Sequence, residues 1–250
     1  MTQIRNILLI GRTGNGKSTL ANVLCGTEKF KESSSGVSIT KEIRAEEFEL
    51  ETLLSGNENL KFKYRIIDTI GIGDTSLSTK EVLTEIAKIC DYLSGELYQV
   101  FFITSGRFSE KEIDAYKLFK DVIFDEQIVK YTTIVRTSFP EFEDEKVCAA
   151  DKTKLLSESS KIAELINSCN GFIYVDNPPM KAHYTGIAIN AREASRKKLL
   201  THLMNNCGNY FPPSLAELRK RVDSYESEKE KLEAKFEYWK KKYDKKCLIL

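Results

Sequence analysis

The sequence lacks the features that mark several large classes of protein. It holds no run of about 18 apolar residues, so no segment is expected to cross a bilayer. Neither sign of charge dominates, because 38 lysine and arginine residues stand against 37 aspartate and glutamate residues, which argues against a nucleic-acid partner. The six cysteines include no C-x-x-C pair. We therefore expect reduced cytosolic thiols rather than a disulfide framework or a zinc site.

The overall composition is that of a globular chain. Its 250 residues are 41% hydrophobic and 30% charged, which fits one large α/β domain with an appendage, or two small domains. The apolar residues 1–11 carry no small-residue cleavage site and run directly into a glycine-rich loop. We interpret them as a buried strand rather than a signal peptide.

Strand patterns and helix patterns alternate from residue 4 to residue 175. Buried strands are predicted at 4–10, 98–104, 131–135 and 171–175, and an antiparallel edge pair at 43–50 and 61–67. Helices are predicted at 17–25, 78–93, 110–124 and 152–167. This alternation predicts an α/β fold of three layers, α/β/α, around a mostly parallel sheet.

The glycine-rich loop after the first strand reads G-x-x-x-x-G-K-S. It consists of Gly11, Arg12, Thr13, Gly14, Asn15, Gly16, Lys17 and Ser18. Its backbone N–H groups can surround phosphate oxygens, and the following helix adds partial positive charge. We expect Lys17 to reach the β and γ phosphates, Ser18 to bind magnesium, and Thr19 to contact the α phosphate. The loop predicts the P-loop NTPase version of the fold.

A D-x-x-G motif ends the strand at 61–67 and narrows the interpretation to nucleotide hydrolysis. Asp68 would lie beside the P-loop and hold the magnesium shell through water, while the Gly71 N–H could approach the γ phosphate. Between the two motifs, Thr40 is our candidate for the switch threonine that closes on magnesium and phosphate, with Ser38 as the alternative. The predicted metal set is therefore Ser18, Thr40 and Asp68.

Several segments resemble the GIMAP-like, or AIG-type, family of GTPases. They are the run Gly106-Arg-Phe-Ser-Glu-Lys-Glu112, then Leu118-Phe-Lys120, Phe124, Tyr131-Thr-Thr-Ile-Val-Arg-Thr137, and Ser38-Ile-Thr-Lys41. The resemblance covers about residues 4 to 205, and it extends more distantly to septins and plastid-import receptor GTPases. It implies an AIG-type GTPase domain over residues 1–209 that binds GTP or GDP with Mg²⁺.

The base-reading residues depart from the usual GTPase motif, N-K-x-D. The matching stretch is Arg136-Thr-Ser-Phe139, so a phenylalanine stands at the position of the aspartate that pairs with guanine. Glu141, Glu143 or Asp144 could supply a carboxylate from the next loop. The resemblance implies that Arg136 and Asn177 bind the nucleotide, with Asn177 near guanine O6.

Turnover is expected to be slow, because Ile72 occupies the place of the glutamine that orients water in Ras-like enzymes. The resemblance implies GTPase domains that pair face to face across the nucleotide. Arg107 is then a candidate catalytic residue that donates positive charge in trans. GTP would drive a homodimer or oligomer, and hydrolysis would reset it. The alternative for Arg107 is a surface residue or a local salt bridge.

Residues 212–246 begin with Pro212-Pro213, which mark a boundary, and carry an apolar stripe with spacings of three and four. Its members are Leu215, Leu218, Val222, Tyr225, Leu232, Phe236, Trp239 and Tyr243, with Lys229 interrupting the seam. The pattern predicts a self-pairing coiled coil. The alternative is a helix that packs back on its own domain.

The last four residues, Cys247-Leu-Ile-Leu250, match C-a-a-X and predict geranylgeranylation of Cys247. A lysine cluster upstream would add attraction to an anionic leaflet; it comprises Lys240, Lys241, Lys242, Lys245 and Lys246. The expected location is cytoplasmic, on the cytosolic face of a membrane.

The leading interpretation is thus a membrane-tethered GTPase that acts as a switch or scaffold. One alternative is a septin-like filament protein in which the nucleotide stabilises an interface with little turnover. Another is an ATP-using P-loop enzyme, which would need a lid with several arginines that the sequence does not show.

Overall fold

A computed structural model describes residues 4–32, 43–53, 59–69, 71, 97–124, 126–180, 185–205, 208 and 215–247. The strands are β1 (Ile4–Gly11), β2 (Arg44–Leu53), β3 (Asn59–Asp68), β4 (Leu97–Ser105), β5 (Thr132–Thr137) and β6 (Gly171–Tyr174). The α-helices are α1 (Lys17–Cys25), α2 (Glu110–Leu118), α3 (Glu145–Glu158), α4 (Ser160–Ser168), α5 (Thr185–Asn205) and α6 (Leu215–Cys247). A π-helical turn (Phe119–Ile123) and a 3₁₀ helix (Glu126–Tyr131) follow α2.

One six-stranded sheet runs in the order β2-β3-β1-β4-β5-β6. All neighbouring pairs are parallel except β2 with β3, which is the antiparallel edge pair that the sequence predicted. In the β1–β3 register, Leu9 lies opposite Asp68. The carboxyl ends of both strands therefore meet at the edge of the sheet where the two phosphate motifs begin.

The sheet is covered on both faces, as a parallel sheet with near-continuous apolar strands requires. Alternate residues of β1 enter separate clusters. Leu8 and Ile10 pack with Phe102 on one face, and Ile7 and Leu9 pack with Phe101 on the other. Because β1 and β4 are central and buried, the loops at their carboxyl ends rest on a rigid base.

Two helices differ from their predicted bounds. The segment predicted as one helix over 110–124 is α2 followed by a π-helical turn, in which the Phe124 N–H reaches the Phe119 carbonyl at 3.1 Å. The segment predicted as a helix over 152–167 is two helices. The first begins earlier because Asp144 caps it by accepting the N–H groups of Lys146 and Val147. The predicted helix over 78–93 lies outside the described residues.

The final helix, α6, contacts the domain near its start. Val222 is 3% exposed and joins the core cluster that contains Phe119 and Phe124. Arg221 donates to the Phe124 carbonyl at 2.6 Å, whereas Leu232 is 67% exposed. The first turns therefore pack on their own domain, as the alternative interpretation held. Pairing of the remainder as a coiled coil stays a prediction.

Among the described residues, no helix combines the length and the apolar character needed to span a membrane.

Candidate nucleotide-binding site

A cavity of about 350 Å³ opens at the carboxyl ends of the central strands. It lies between the glycine-rich loop, the residues after β5 and the residues after β6. Its walls are formed by Gly14, Gly16, Thr19, Glu32, Thr137, Ser138, Asn177 and Pro179. Four of the residues predicted to bind the nucleotide, Gly14, Gly16, Thr19 and Asn177, thus line one cavity.

The glycine-rich loop has a backbone that other residues rarely adopt. Gly14 and Gly16 have φ angles of 87° and 85°, a left-handed region that favours glycine. Gly11 packs so closely on β4 that an added Cβ would lie 2.3 Å from the Ile103 carbonyl oxygen. The loop is thereby held against the sheet with its turn facing the cavity.

Lys17 begins α1 and is only 6% exposed. Its Nζ donates to the carbonyl oxygens of Gly11 at 3.1 Å and of Arg12 at 3.0 Å. The ammonium group is therefore held across the inside of the loop, where it can neutralise phosphate oxygens.

Ser18 and Asp68 form the side of the site suited to a divalent cation. The Ser18 hydroxyl donates to Asp68 Oδ2 at 2.7 Å, while Asp68 Oδ1 is buried without a hydrogen-bond partner among the described residues. Burial raises the pKa of Asp68 above its ordinary value, although Lys17 and Ser18 oppose the shift. A magnesium ion bound through these oxygens would relieve the cost of burying this carboxylate.

The described residues contain no cluster of three or more His, Cys, Asp or Glu side chains that could hold a metal without other ligands. Magnesium commonly uses one or two carboxylates together with substrate phosphates and water. The Ser18–Asp68 pair fits that mode.

Gly71 touches the glycine-rich loop directly. A Cβ at Gly71 would lie 2.1 Å from Thr13 Oγ1 and 2.5 Å from the Thr13 nitrogen. Thr13 Oγ1 itself is buried without a hydrogen-bond partner in the described structure. The D-x-x-G segment thus meets the loop at a point where only glycine fits.

The residues after β5 and β6 build the opposite wall. Thr137 Oγ1 lies 2.8 Å from the Asn15 carbonyl oxygen and links this wall to the glycine-rich loop. Ser138 has a φ of 56°, and within the described backbone it is the one non-glycine residue with a positive φ. Both amide atoms of Asn177 are buried and lack hydrogen-bond partners among the described residues. An unpaired amide on a cavity wall indicates a position that a ligand would complete.

The Arg136 side chain, which was expected to contact the nucleotide, points elsewhere. It is 7% exposed, donates to the Gly106 carbonyl, and pairs with Asp151 through its Nε at 2.7 Å. Arg136 therefore supports the backbone at the start of the Gly106–Glu112 segment. Its neighbours Thr137 and Ser138 line the cavity instead.

A buried carboxylate that the sequence interpretation passed over joins the Gly106–Glu112 segment to the glycine-rich loop. Glu112 is 2% exposed and its Oε1 accepts from Asn15 Nδ2 at 2.8 Å and Thr104 Oγ1 at 3.1 Å. Its Oε2 accepts from the N–H and hydroxyl of Ser109, both at 2.9 Å. The S-x-x-E spacing of a capping box was the available signal.

Glu112→Ala is expected to lower the free energy of unfolding by about 2–4 kcal/mol, because it leaves several buried donors without an acceptor. Urea denaturation measures the change. Glu110→Ala, an exposed residue on the same helix turn, is the control and should cost less than about 1 kcal/mol. Equal stability of the two variants would contradict a supporting role for the Glu112 carboxylate.

Glu32 closes the cavity from the other side. Arg192 of α5 donates to Glu32 Oε1 at 3.1 Å and to Oε2 at 2.9 Å, and it also donates to the Pro178 carbonyl at 2.9 Å. Burial opposes ionisation, but the hydrogen bonds from Arg192 and Asn22 hold the pKa of Glu32 below its ordinary value. Arg192 therefore links Glu32 to Pro178, which follows Asn177 on the opposite wall of the cavity.

The remaining predicted site residues are separated from this cavity wall or lie outside the described part. Arg12 donates from Nη1 to Ser109 Oγ at 3.3 Å, so it faces the Gly106–Glu112 segment. Arg107 is exposed on that segment. Cys247 is the last residue of α6. Thr40, Ser38 and Ile72 lie outside the described residues.

Both the sequence and the fold of this chain resemble those of known proteins. A sequence profile described as the AIG1 family matches residues 5–210. Immune-associated nucleotide-binding protein 13 of Arabidopsis thaliana is 29% identical over 168 residues, covering 66% of this chain and 46% of that protein. The chain thus spans less than half the length of this relative.

The fold is similar to that of a solved structure, Era. Era in complex with MgGDPNP and a segment of 16S ribosomal RNA has a TM-score of 0.54 at 13% identity, over 85% of this chain and 60% of Era. Toc33 of Arabidopsis thaliana in complex with Mg²⁺ and GMPPNP has a TM-score of 0.49 at 15% identity, over 82% of this chain and 88% of Toc33.

Proposed function

The chain belongs to the AIG1 family, and from that premise we propose that it binds GTP and GDP with Mg²⁺ and hydrolyses GTP slowly as a self-associating switch or scaffold. The observation that carries the proposal is the position of Lys17, Ser18 and Asp68 around one loop. When bound, magnesium would supply positive charge to the phosphate oxygens.

Each side of the cavity has a defined part in nucleotide binding. The turn from Gly14 to Lys17 offers backbone N–H groups and an ammonium to the phosphates. Ser18 and Asp68 hold the cation. Asn177, on the opposite wall, meets the base. The shape therefore suits a purine nucleotide with its phosphates on the loop.

Hydrolysis requires a group that orients water or stabilises the developing charge. Ile72 cannot do either, and the described residues that line the cavity include no arginine or histidine. Arg107 is exposed and lies two residues before Ser109, which accepts a hydrogen bond from Arg12. A second copy of the chain facing the nucleotide could therefore receive its guanidinium. Slow turnover that depends on pairing follows from this arrangement.

The direct test is equilibrium binding of GTP, GDP and ATP with and without magnesium. We expect micromolar or tighter affinity for both guanine nucleotides, weaker binding of ATP, and a loss of GTP affinity when magnesium is chelated. Absence of binding by any purine nucleotide would overturn the proposal. Tight GTP binding with no measurable phosphate release would favour the septin-like alternative.

Membrane tethering and coiled-coil pairing belong to the same proposal. The exposed Leu232 on α6 supports pairing, since it lies on the apolar stripe and no described part of the chain covers it. The lysine cluster and Cys247 support attachment to a membrane. Prenylation at Cys247 stays a prediction from the sequence.

A further inference from the structure

Arg107 is exposed between two residues that the rest of the domain holds in place. On one side, the Gly106 carbonyl accepts a hydrogen bond from the buried side chain of Arg136. On the other side, Phe108 is 8% exposed and packs in the core cluster on one face of the sheet. The backbone at Arg107 is therefore fixed from both directions, while its side chain reaches solvent.

Ser109 completes this support and connects it to the glycine-rich loop. Its hydroxyl donates to Glu112 Oε2 at 2.9 Å and accepts from Arg12 Nη1 at 3.3 Å. Its backbone N–H donates to the same carboxylate oxygen at 2.9 Å, and the other oxygen accepts from Asn15. Two side chains of the loop, Arg12 and Asn15, thus converge on one serine and on the carboxylate that binds it.

Asn15 also fixes the loop to the sheet. Its Nδ2 donates to Glu112 at 2.8 Å and to the Ile103 carbonyl at 3.0 Å, and its own carbonyl accepts from Thr137 Oγ1 at 2.8 Å. Because the phosphate-binding turn lies next to Asn15 in the chain, this turn and the segment that carries Arg107 form one connected unit. The direction from the phosphate site of a chain to its own Arg107 is thereby fixed.

This fixed direction matters most when two copies of the chain face each other. In a two-fold symmetric pair both chains use the same surface, so one arrangement within the chain serves both sites. A displacement of about 1 Å in a group that must meet the reacting atoms can cost on the order of 10²-fold in rate. A side chain held at its base also loses less conformational freedom when it engages a partner.

We propose that Ser109 is a positioning residue for GTP hydrolysis, which holds Arg107 in the orientation that reaches the nucleotide of the facing chain. The inference rests on the proposed function, in which Arg107 acts in trans. Ser109 is not among the residues that line the nucleotide cavity. Its contribution is therefore to the rate of hydrolysis and not to the affinity for GTP.

The first measurement compares Ser109→Ala, which removes the hydroxyl between Arg12 and Glu112, with Ser109→Thr, which keeps a hydroxyl there. Both variants keep the Asn15–Glu112 contact that supports the loop. We expect Ser109→Ala to lower the maximal hydrolysis rate at high protein concentration by about tenfold or more, with GTP affinity changed by less than about twofold. Ser109→Thr should retain the rate within about threefold. An unchanged rate in Ser109→Ala would overturn the inference.

Ser159→Ala is the matched control, because Ser159 caps a helix with the same chemistry at a different place. The Ser109 hydroxyl accepts the Glu112 N–H at 3.3 Å at the start of α2, and the Ser159 hydroxyl accepts the Ile162 N–H at 3.2 Å at the start of α4. Each alanine substitution should lower the thermal midpoint by about 2–4 °C, but only Ser109→Ala should slow hydrolysis. Equal rate losses in the two variants would assign the effect to helix stability and contradict a positioning role.

A double-substitution cycle determines whether Ser109 acts through Arg107. In the Arg107→Ala chain the guanidinium is absent, so adding Ser109→Ala should change the residual rate by less than about twofold. Single-turnover phosphate release, followed over hours, measures that rate. A further loss as large as the one in the unmodified background would show that Ser109 acts on the loop itself, and the inference would be wrong.

Failure of this inference is distinguishable from failure of the function on which it rests. If no purine nucleotide binds, the proposed function itself is wrong. If GTP is bound and hydrolysed but Arg107→Ala leaves the rate unchanged, GTP binding and hydrolysis stand. In that case the trans role of Arg107 and the positioning role of Ser109 are both excluded.

Discussion

Lys17→Met is expected to weaken GTP binding on the order of 10²-fold or more, since truncating one member of a buried charge pair costs about 2–5 kcal/mol. The residue is 6% exposed and its ammonium is held by two carbonyl oxygens of the loop. Without it, the phosphates would meet inward-facing carbonyl oxygens with no cation between them. Titration with a fluorescent GTP analogue measures the loss.

Methionine is chosen because it keeps the aliphatic stem that packs under the loop. The thermal midpoint should therefore change little, and a large decrease would show that the fold rather than the charge was affected. Lys29→Met is the matched control, because the Lys29 side chain is 61% exposed. Among the described residues, its ion-pair partner is Glu46. Retention of full affinity by Lys17→Met would contradict the assigned phosphate contact.

Arg107→Ala is expected to reduce the rate of GTP hydrolysis on the order of 10³-fold while leaving GTP affinity almost unchanged. Arg107 is exposed on the segment between β4 and α2, so its charge can reach a facing chain. The specific rate of the unmodified protein should rise with protein concentration, and that of the variant should not. Phosphate release across a hundredfold range of protein concentration measures both.

Lys117→Ala serves as the control, since it removes an exposed positive charge from α2 without touching the Gly106–Glu112 segment. Arg107→Lys tests geometry, because lysine keeps the charge but loses the planar fork of donors. A rate independent of protein concentration would exclude a trans mechanism. A concentration-dependent rate that survives Arg107→Ala would assign the mechanism to another group.

The parts of the site that could be predicted are those set by local sequence. The glycines, Lys17 and Ser18 are fixed relative to one another by the loop and the first turn of α1, so a short motif suffices to place them. Asp68 required one further step, the inference that two parallel strands end at the same edge of the sheet. The β1–β3 register confirms it.

The parts that could not be predicted depend on contacts between distant segments. Glu112 meets Asn15 across 97 residues of sequence, and Arg192 meets Glu32 across 160. No local pattern encodes such pairs, and charged residues are ordinarily assigned to the surface. Arg136 shows the converse case. The family resemblance implied a nucleotide contact for it, but its side chain pairs with Asp151 instead.

The helix α6 is attached to the domain close to one end. It has 33 residues and so spans about 50 Å, of which about 33 Å lies beyond Tyr225. Val222 and Arg221 attach α6 to the region of the π-helical turn. A helix attached near one end magnifies any rotation at that pivot into a larger movement of its other end. Rotation by about 10° at the pivot would displace the far end by about 6 Å. A rotation of the π-helical turn too small to notice within the domain would thus move the far end of α6 by about one helical pitch.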